Sequence, residues 1–136
     1  MWWRFFKKKT SLPPLKPEGE VHNLSEIFQA VNAGYFDAKL DLRITWFGRG
    51  NIPRTRILYG SYHHLRKEVR VNRILDQEKV PRSVVEFIVY HEMLHHVLPP
   101  RRGKNGRRNI HHQEFKEKER EFEHFMDAKT FLARFI

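Results

Sequence analysis

Apolar residues at three-and-four spacing mark the first regular segment. Leu24, Ile27, Phe28, Val31 and Tyr35 share one side of a helix over residues 23–36, and Asn23 or Ser25 can cap its start. The period then changes to two. Leu40, Leu42, Ile44 and Trp46 alternate with Asp41, Arg43 and Thr45, which predicts a half-buried strand over residues 39–47. Gly48, Gly50, Asn51 and Pro53 break it. A second strand is predicted over 55–62 and a third over Glu68–Asn72, joined by a short polar turn. The first half therefore reads as one helix with a small, three-stranded, mostly antiparallel sheet.

The second half is helical. Pro81 suits a first helical turn, and Ser83 followed by Glu86 fits a capping box. The helix runs over 84–98 until Pro99 and Pro100 stop it. A polar loop spans 99–110. A last helix over 113–131 carries Phe115, Phe122 and Met126 along one stripe. Ahead of all this, Leu12-Pro13-Pro14-Leu15-Lys16-Pro17 favours an extended path. Residues 1–20 thus read as an arm and 21–136 as one α+β domain.

Composition narrows the chemistry. With 40% apolar residues in 136, the chain can build one core and is too apolar to be disordered. It has no cysteine, which excludes disulfides, thiolate metal sites and a cysteine nucleophile. A transition metal must then use imidazole or carboxylate. No stretch approaches the roughly 18 apolar residues of a membrane span. The start, MWWRFFKKKT, lacks an apolar core and a small-residue cleavage site, so a cytoplasmic location is expected. Trp2, Trp3, Phe5 and Phe6 among lysines offer either a loose tail or a contact with a membrane surface or partner.

The net charge of +10 is concentrated. Arg4, Lys7, Lys8, Lys9 and Lys16 stand in 1–16 without an acid, and Arg101, Arg102, Lys104, Arg107 and Arg108 stand in 99–110 without one. Setting these ten aside leaves 16 cations against 16 acids. A protein built mainly to hold nucleic acid spreads its cations over a face of the fold. The loop leaves room for a weak nucleic-acid contact or an acidic-substrate rim.

The chemistry centres on His91-Glu92-Met93-Leu94-His95. On a helix, positions i and i+4 lie one turn apart on one face, so the two imidazoles can share a metal ion. Glu92 falls about 100° round the axis, where a carboxylate can reach water at the metal without taking a coordination place. Val84, Ile88, His91, His95 and Leu98 fall within roughly 80° of arc, so the histidines point into the domain from an apolar stripe. Burying two unpaired imidazoles is costly, and a metal, or specific hydrogen bonds, must answer that cost. The spacing that would place a third histidine at 101 is absent, since that residue is Arg101. His111, His112 or a carboxylate such as Glu114, Glu117 or Glu121 can complete the set. His96 points about 100° from His95 and reads as a bystander. His22, His63, His64 and His124 read as surface histidines.

The motif HEMLH, a short insertion and then His111-His112-Gln113-Glu114-Phe115 resembles the SprT-like minimal zincins, whose third histidine stands four residues before a phenylalanine. The resemblance extends upstream through Asn23–Phe28 with Tyr35-Phe36, Leu42–Trp46, Gly60-Ser61-Tyr62, Val69–Asn72 and Leu75, covering about residues 23–125. One position departs: the small residue after the third histidine is His112 here. The resemblance implies a minimal zincin-like fold, Zn2+ on His91, His95 and His111, and Glu92 as general base. The implied activity is hydrolysis of a peptide or protein substrate by a zinc metallopeptidase. The edge strand near Glu68–Asn72 would align that substrate, with Tyr62, Tyr90 or an arginine at the oxyanion. The alternatives are a non-catalytic zinc-binding module and a DNA-associated SprT-type protease.

Overall fold

A computed structural model describes residues 12–51 and 56–135. The aromatic cluster Trp2, Trp3, Phe5 and Phe6, Pro53, and Thr55 at the expected start of the second strand lie outside them. Helix α1 spans Leu24–Tyr35, and strands β1, β2 and β3 span Arg43–Phe47, Gly60–His63 and Glu68–Asn72. A short 3-10 turn at Arg73–Leu75 precedes helix α2, Arg82–Val97. A two-stranded hairpin, β4 (Arg101–Arg102) and β5 (Arg108–Asn109), then leads to α3 (Gln113–Arg120) and α4 (Phe125–Arg134). The α+β class and the three-stranded sheet are as the sequence predicts. Among the described residues no helix is long and apolar enough to cross a membrane.

The sheet order is β1-β3-β2, with β3 in the middle. β2 and β3 form an antiparallel hairpin, Tyr62 facing Val69. β1 runs parallel to β3, Ile44 facing Val69 and Trp46 facing Val71. The expectation of a mostly antiparallel sheet is thereby corrected to a mixed one. Alternation within a strand reports which face is buried, not which neighbour lies alongside. β3 is also corrected from edge to centre: both its ladder sides are taken, and the open edge next to α2 is that of β2.

Leu24, Ile27 and Val31 of α1 pack with Ile44, Trp46, Val69 and Val71 of the sheet and with Val84, Val85 and Ile88 of α2 in one core. Asn23 caps α1, its side chain accepting from the N–H groups of Ser25 and Glu26. Thr45, expected on the open face, is buried because the incoming chain covers it: Lys16 N–H donates to Thr45 Oγ1 (2.9 Å), and Trp46 N–H donates to Lys16 O (3.1 Å). The same segment is latched by the Asp76 carboxylate, which accepts from the N–H groups of Glu20, Val21 and His22. Burial pushes the Asp76 carboxyl up, but these backbone donors outweigh it and hold it below the usual range.

Helix α2 is the central element, packed against α1, β2, β3, α3 and α4. Its first three turns are therefore buried on nearly every side, wider than the stripe the wheel predicts, and only the end bearing His91 and His95 opens. No capping box forms. Pro81 occupies the N-cap without a side-chain bond, and Glu86 pairs instead with Arg82 (3.6 Å). The expected single last helix is two helices. Phe122 turns inward at the break to meet Tyr35, Phe87 and Tyr90, and the Glu123 N–H is taken by Tyr35 Oη (3.0 Å). Those contacts are tertiary and leave no Gly or Pro signal.

Candidate metal centre

His91 and His95 stand one turn apart near the end of α2, which Pro99 and Pro100 terminate. The β4–β5 hairpin then reverses the chain and carries His111 back over them. Ring centroids lie 5.0 Å apart for His91–His95, 5.1 Å for His91–His111 and 4.9 Å for His95–His111. One nitrogen from each ring falls within 4.8 Å of the others, close enough to share a metal ion. His95 Nε2 and His111 Nε2 face each other at 3.2 Å. Two imidazoles cannot both be protonated at that separation. Burial, then the neighbouring His91 and His111, depress the His95 pKa to about 3. Burial and His91 depress that of His111. Neutral imidazoles with converging lone pairs are what a divalent cation requires, so the donor set fits one.

Phe115 is the floor beneath all three rings. It is 1% exposed, stacks on His95 at 4.6 Å, and meets His91 and His111 at 5.0 and 4.9 Å. It lies in the first turn of α3, just past the segment that carries His111.

His112 does not join the group. Its Nδ1 accepts from the Phe115 N–H (3.3 Å) as the N-cap of α3, and its Nε2 donates to Pro99 O (3.2 Å). Both nitrogens are thus engaged in holding the turn that positions His111. Glu114 pairs with Arg101, Glu117 accepts from Gln113, and Glu121 faces Lys118, so none of these carboxylates turns to the histidines.

Glu92 is only 5% exposed. Its two carboxylate oxygens stand 4.0 Å from His91 Nε2 and from His95 Nε2. It passes close over β2: a Cβ on Gly60 would meet Glu92 Oε2 at 3.0 Å and Ile88 Cγ2 at 2.7 Å, so a residue without a side chain is needed there. Burial raises the Glu92 pKa to about 7 in spite of His91, which favours its charged form.

Sequence reasoning misses Glu119. Its carboxylate accepts a short hydrogen bond from His91 Nδ1–H, which leaves His91 Nε2 free to face the centre. Burial would raise the Glu119 pKa, but the bond and charge of His91 outweigh it and hold it low. The signal was present, since Glu119 follows Phe115 by one helical turn. Tyr90 Oη donates to Lys118 O (2.5 Å) and so anchors the turn carrying Glu119. That buried role removes Tyr90 from the oxyanion candidates.

A groove crosses the site along the open edge of β2. One arm, about 470 Å³, is bordered by Tyr62, His64, Arg108 and Ile110. The other, about 430 Å³, is bordered by Tyr59, Ile88, Glu119 and Leu132. Leu58, Gly60, His91 and Glu92 belong to both. His64 is therefore a groove residue rather than a plain surface one. His96, expected to be a bystander, shares a hydrogen bond with Tyr62 Oη (2.7 Å). His22 is buried against Val80 O (3.0 Å). His63 accepts from the Arg66 N–H, and His124 is beside Glu123, both away from the centre.

Comparison with curated proteins and with solved structures returned no match. The model of the SprT-like family matches residues 24–131, a span that holds the three histidines, Glu92 and Glu119. With a match over most of its 136 residues, the chain belongs to the SprT-like family.

Proposed function

We propose that this protein is a zinc-dependent peptidase, with His91, His95 and His111 as metal ligands and Glu92 as general base. One observation carries this reading: three imidazole nitrogens within 4.8 Å of one another, beside a buried carboxylate 4.0 Å from two of them. Three histidines without a thiolate match the ligand sets of catalytic zinc, which keep a place for water or substrate. Zinc held there would act as a Lewis acid and lower the pKa of a water toward roughly 7.

The remaining work falls to the chain's own groups. Glu119 fixes the His91 tautomer through Nδ1–H. Glu92 accepts a proton from the attacking water, holds it under the cover of Gly60 and Ile88, and gives it to the leaving amine. A carboxyl titrating near 7 suits both halves of that task. The substrate lies extended along β2. Asn72 N–H donates to Tyr59 O (2.7 Å), so antiparallel alternation turns the N–H and C=O of Gly60 and Tyr62 to the open edge. A peptide added there gains main-chain hydrogen bonds and passes over Glu92. Of the earlier candidates for the oxyanion, Tyr62 and Arg108 both border the groove arm that holds His91 and His95.

The test is cleavage of an unstructured protein such as casein by zinc-loaded wild type and Glu92→Gln. The expected loss in kcat/KM is at least about 100-fold, with zinc content unchanged. Equal, negligible cleavage by both proteins would favour a non-catalytic zinc module and overturn this reading.

A further inference from the structure

The β4–β5 hairpin carries more charge than the fold needs. Arg102 stands directly opposite Arg108 in register, a like-charged cross-strand pair that repels. Lys104 and Arg107 add to it at the turn. Among the described residues only Arg101 of this group is paired with a carboxylate, that of Glu114. The turn itself is well built: Gly103 N–H donates to Arg107 O (2.7 Å), Gly106 N–H donates to Gly103 O (3.0 Å), and Arg107 N–H donates to Asn105 Oδ1 (3.1 Å). The arginines are thus presented on a defined scaffold rather than a loose loop.

Their position gives the charge a purpose. Pro100, Arg101, Arg102, Gly106 and Arg108 border a recess of about 360 Å³. Pro100 and Arg108 also border the groove arm that holds His91, Glu92 and His95. The recess therefore adjoins the path of a bound peptide. The other arm is bordered by Tyr59, Ile88 and Leu132 together with Glu119 and Lys129, and it carries no arginine.

We propose that this hairpin is an anion subsite of the groove, taking an acidic side chain of the peptide substrate on one side of the scissile bond. It rests on the peptidase reading above. A guanidinium pair at the rim of that recess is matched by a carboxylate, which relieves their repulsion through charge-assisted hydrogen bonds. A nucleic-acid backbone needs a longer track of cations, and outside 1–16 and 99–110 the chain balances 16 cations with 16 acids.

The test uses quenched peptides in which Glu, Gln or Lys is placed at successive positions on each side of the cleaved bond. Zinc-loaded wild type should favour Glu over Gln by about fivefold in kcat/KM at positions on one side only, and less as salt rises. Arg102→Glu and Arg108→Glu should invert the order, making Lys the better residue. Lys39→Glu, exposed and outside the hairpin and the groove, should leave the order in place. The same peptides are titrated by fluorescence anisotropy onto Glu92→Gln protein, so the preference is read without turnover. Failure of every peptide to be cleaved while Glu still binds best would count against the peptidase reading and support the subsite. Equal binding of Glu and Gln peptides would overturn the subsite. So would a DNA duplex that binds through Arg102 and Arg108 where acidic peptides do not.

Discussion

Glu119 shows how much a single residue outside the HExxH motif decides. It selects which His91 nitrogen faces the centre, since an Nδ1–H held by a carboxylate leaves Nε2 for a metal. Glu119→Ala should weaken zinc binding by about 10–100-fold, as removal of such partners does elsewhere, with the fold retained. Zinc competition with a chromophoric chelator measures it, and an unchanged affinity would remove Glu119 from the account. As the proposed base, Glu92 would set the pH dependence. Only its ionised form accepts a proton, and burial places its pKa at about 7. The charge of a bound ion would pull that value down. Peptide kcat/KM should therefore fall on acidification along a limb lying at or below about pH 7. His95, at about 3, remains neutral throughout that limb and does not set it. Activity that rises as the pH drops below about 6 would contradict Glu92 as the base.

At the scale of elements, the central relation is the close passage of α2 over β2. Gly60→Ala would drive a methyl group against Glu92 Oε2 and Ile88 Cγ2 with the Arg70 carbonyl behind it. The expected result is a stability loss of about 1–3 kcal/mol and a larger proportional loss of activity, because the carboxylate is displaced. Thermal unfolding beside kcat/KM checks it, and a variant with wild-type values of both would show that the contact is slack. This relation also shows where the sequence was legible. Helix α1, strand β1 and α2 announce themselves by period, and the i, i+4 histidines by spacing alone; the second strand, expected over 55–62, forms only at Gly60–His63. The parallel pairing of β1 with β3 does not, because a period of two is blind to the neighbour. The break between α3 and α4 does not, because Phe122 reads as one more apolar position until Tyr35 and Tyr90 receive it. Spacing alone leaves both His111 and His112 able to complete the set. What divides them is the capping bond of His112 to Phe115, a local geometry that the last helix acquires only where it begins.

Across the whole molecule, one buried helix serves as both the core and the floor of the site. Its early turns hold the sheet to α1, and its open end meets a chain that the hairpin has sent back. The groove runs over that end between an arginine-rich hairpin and α4. The proposed peptidase chemistry requires the three imidazoles of that meeting point to act as one cation site. Metal analysis of the purified protein beside single alanine variants tests this most directly. It should find one zinc per chain in wild type and in His112→Ala, and its loss from His91→Ala, His95→Ala and His111→Ala. Zinc retained in His111→Ala, or lost from His112→Ala while the fold persists, would contradict it.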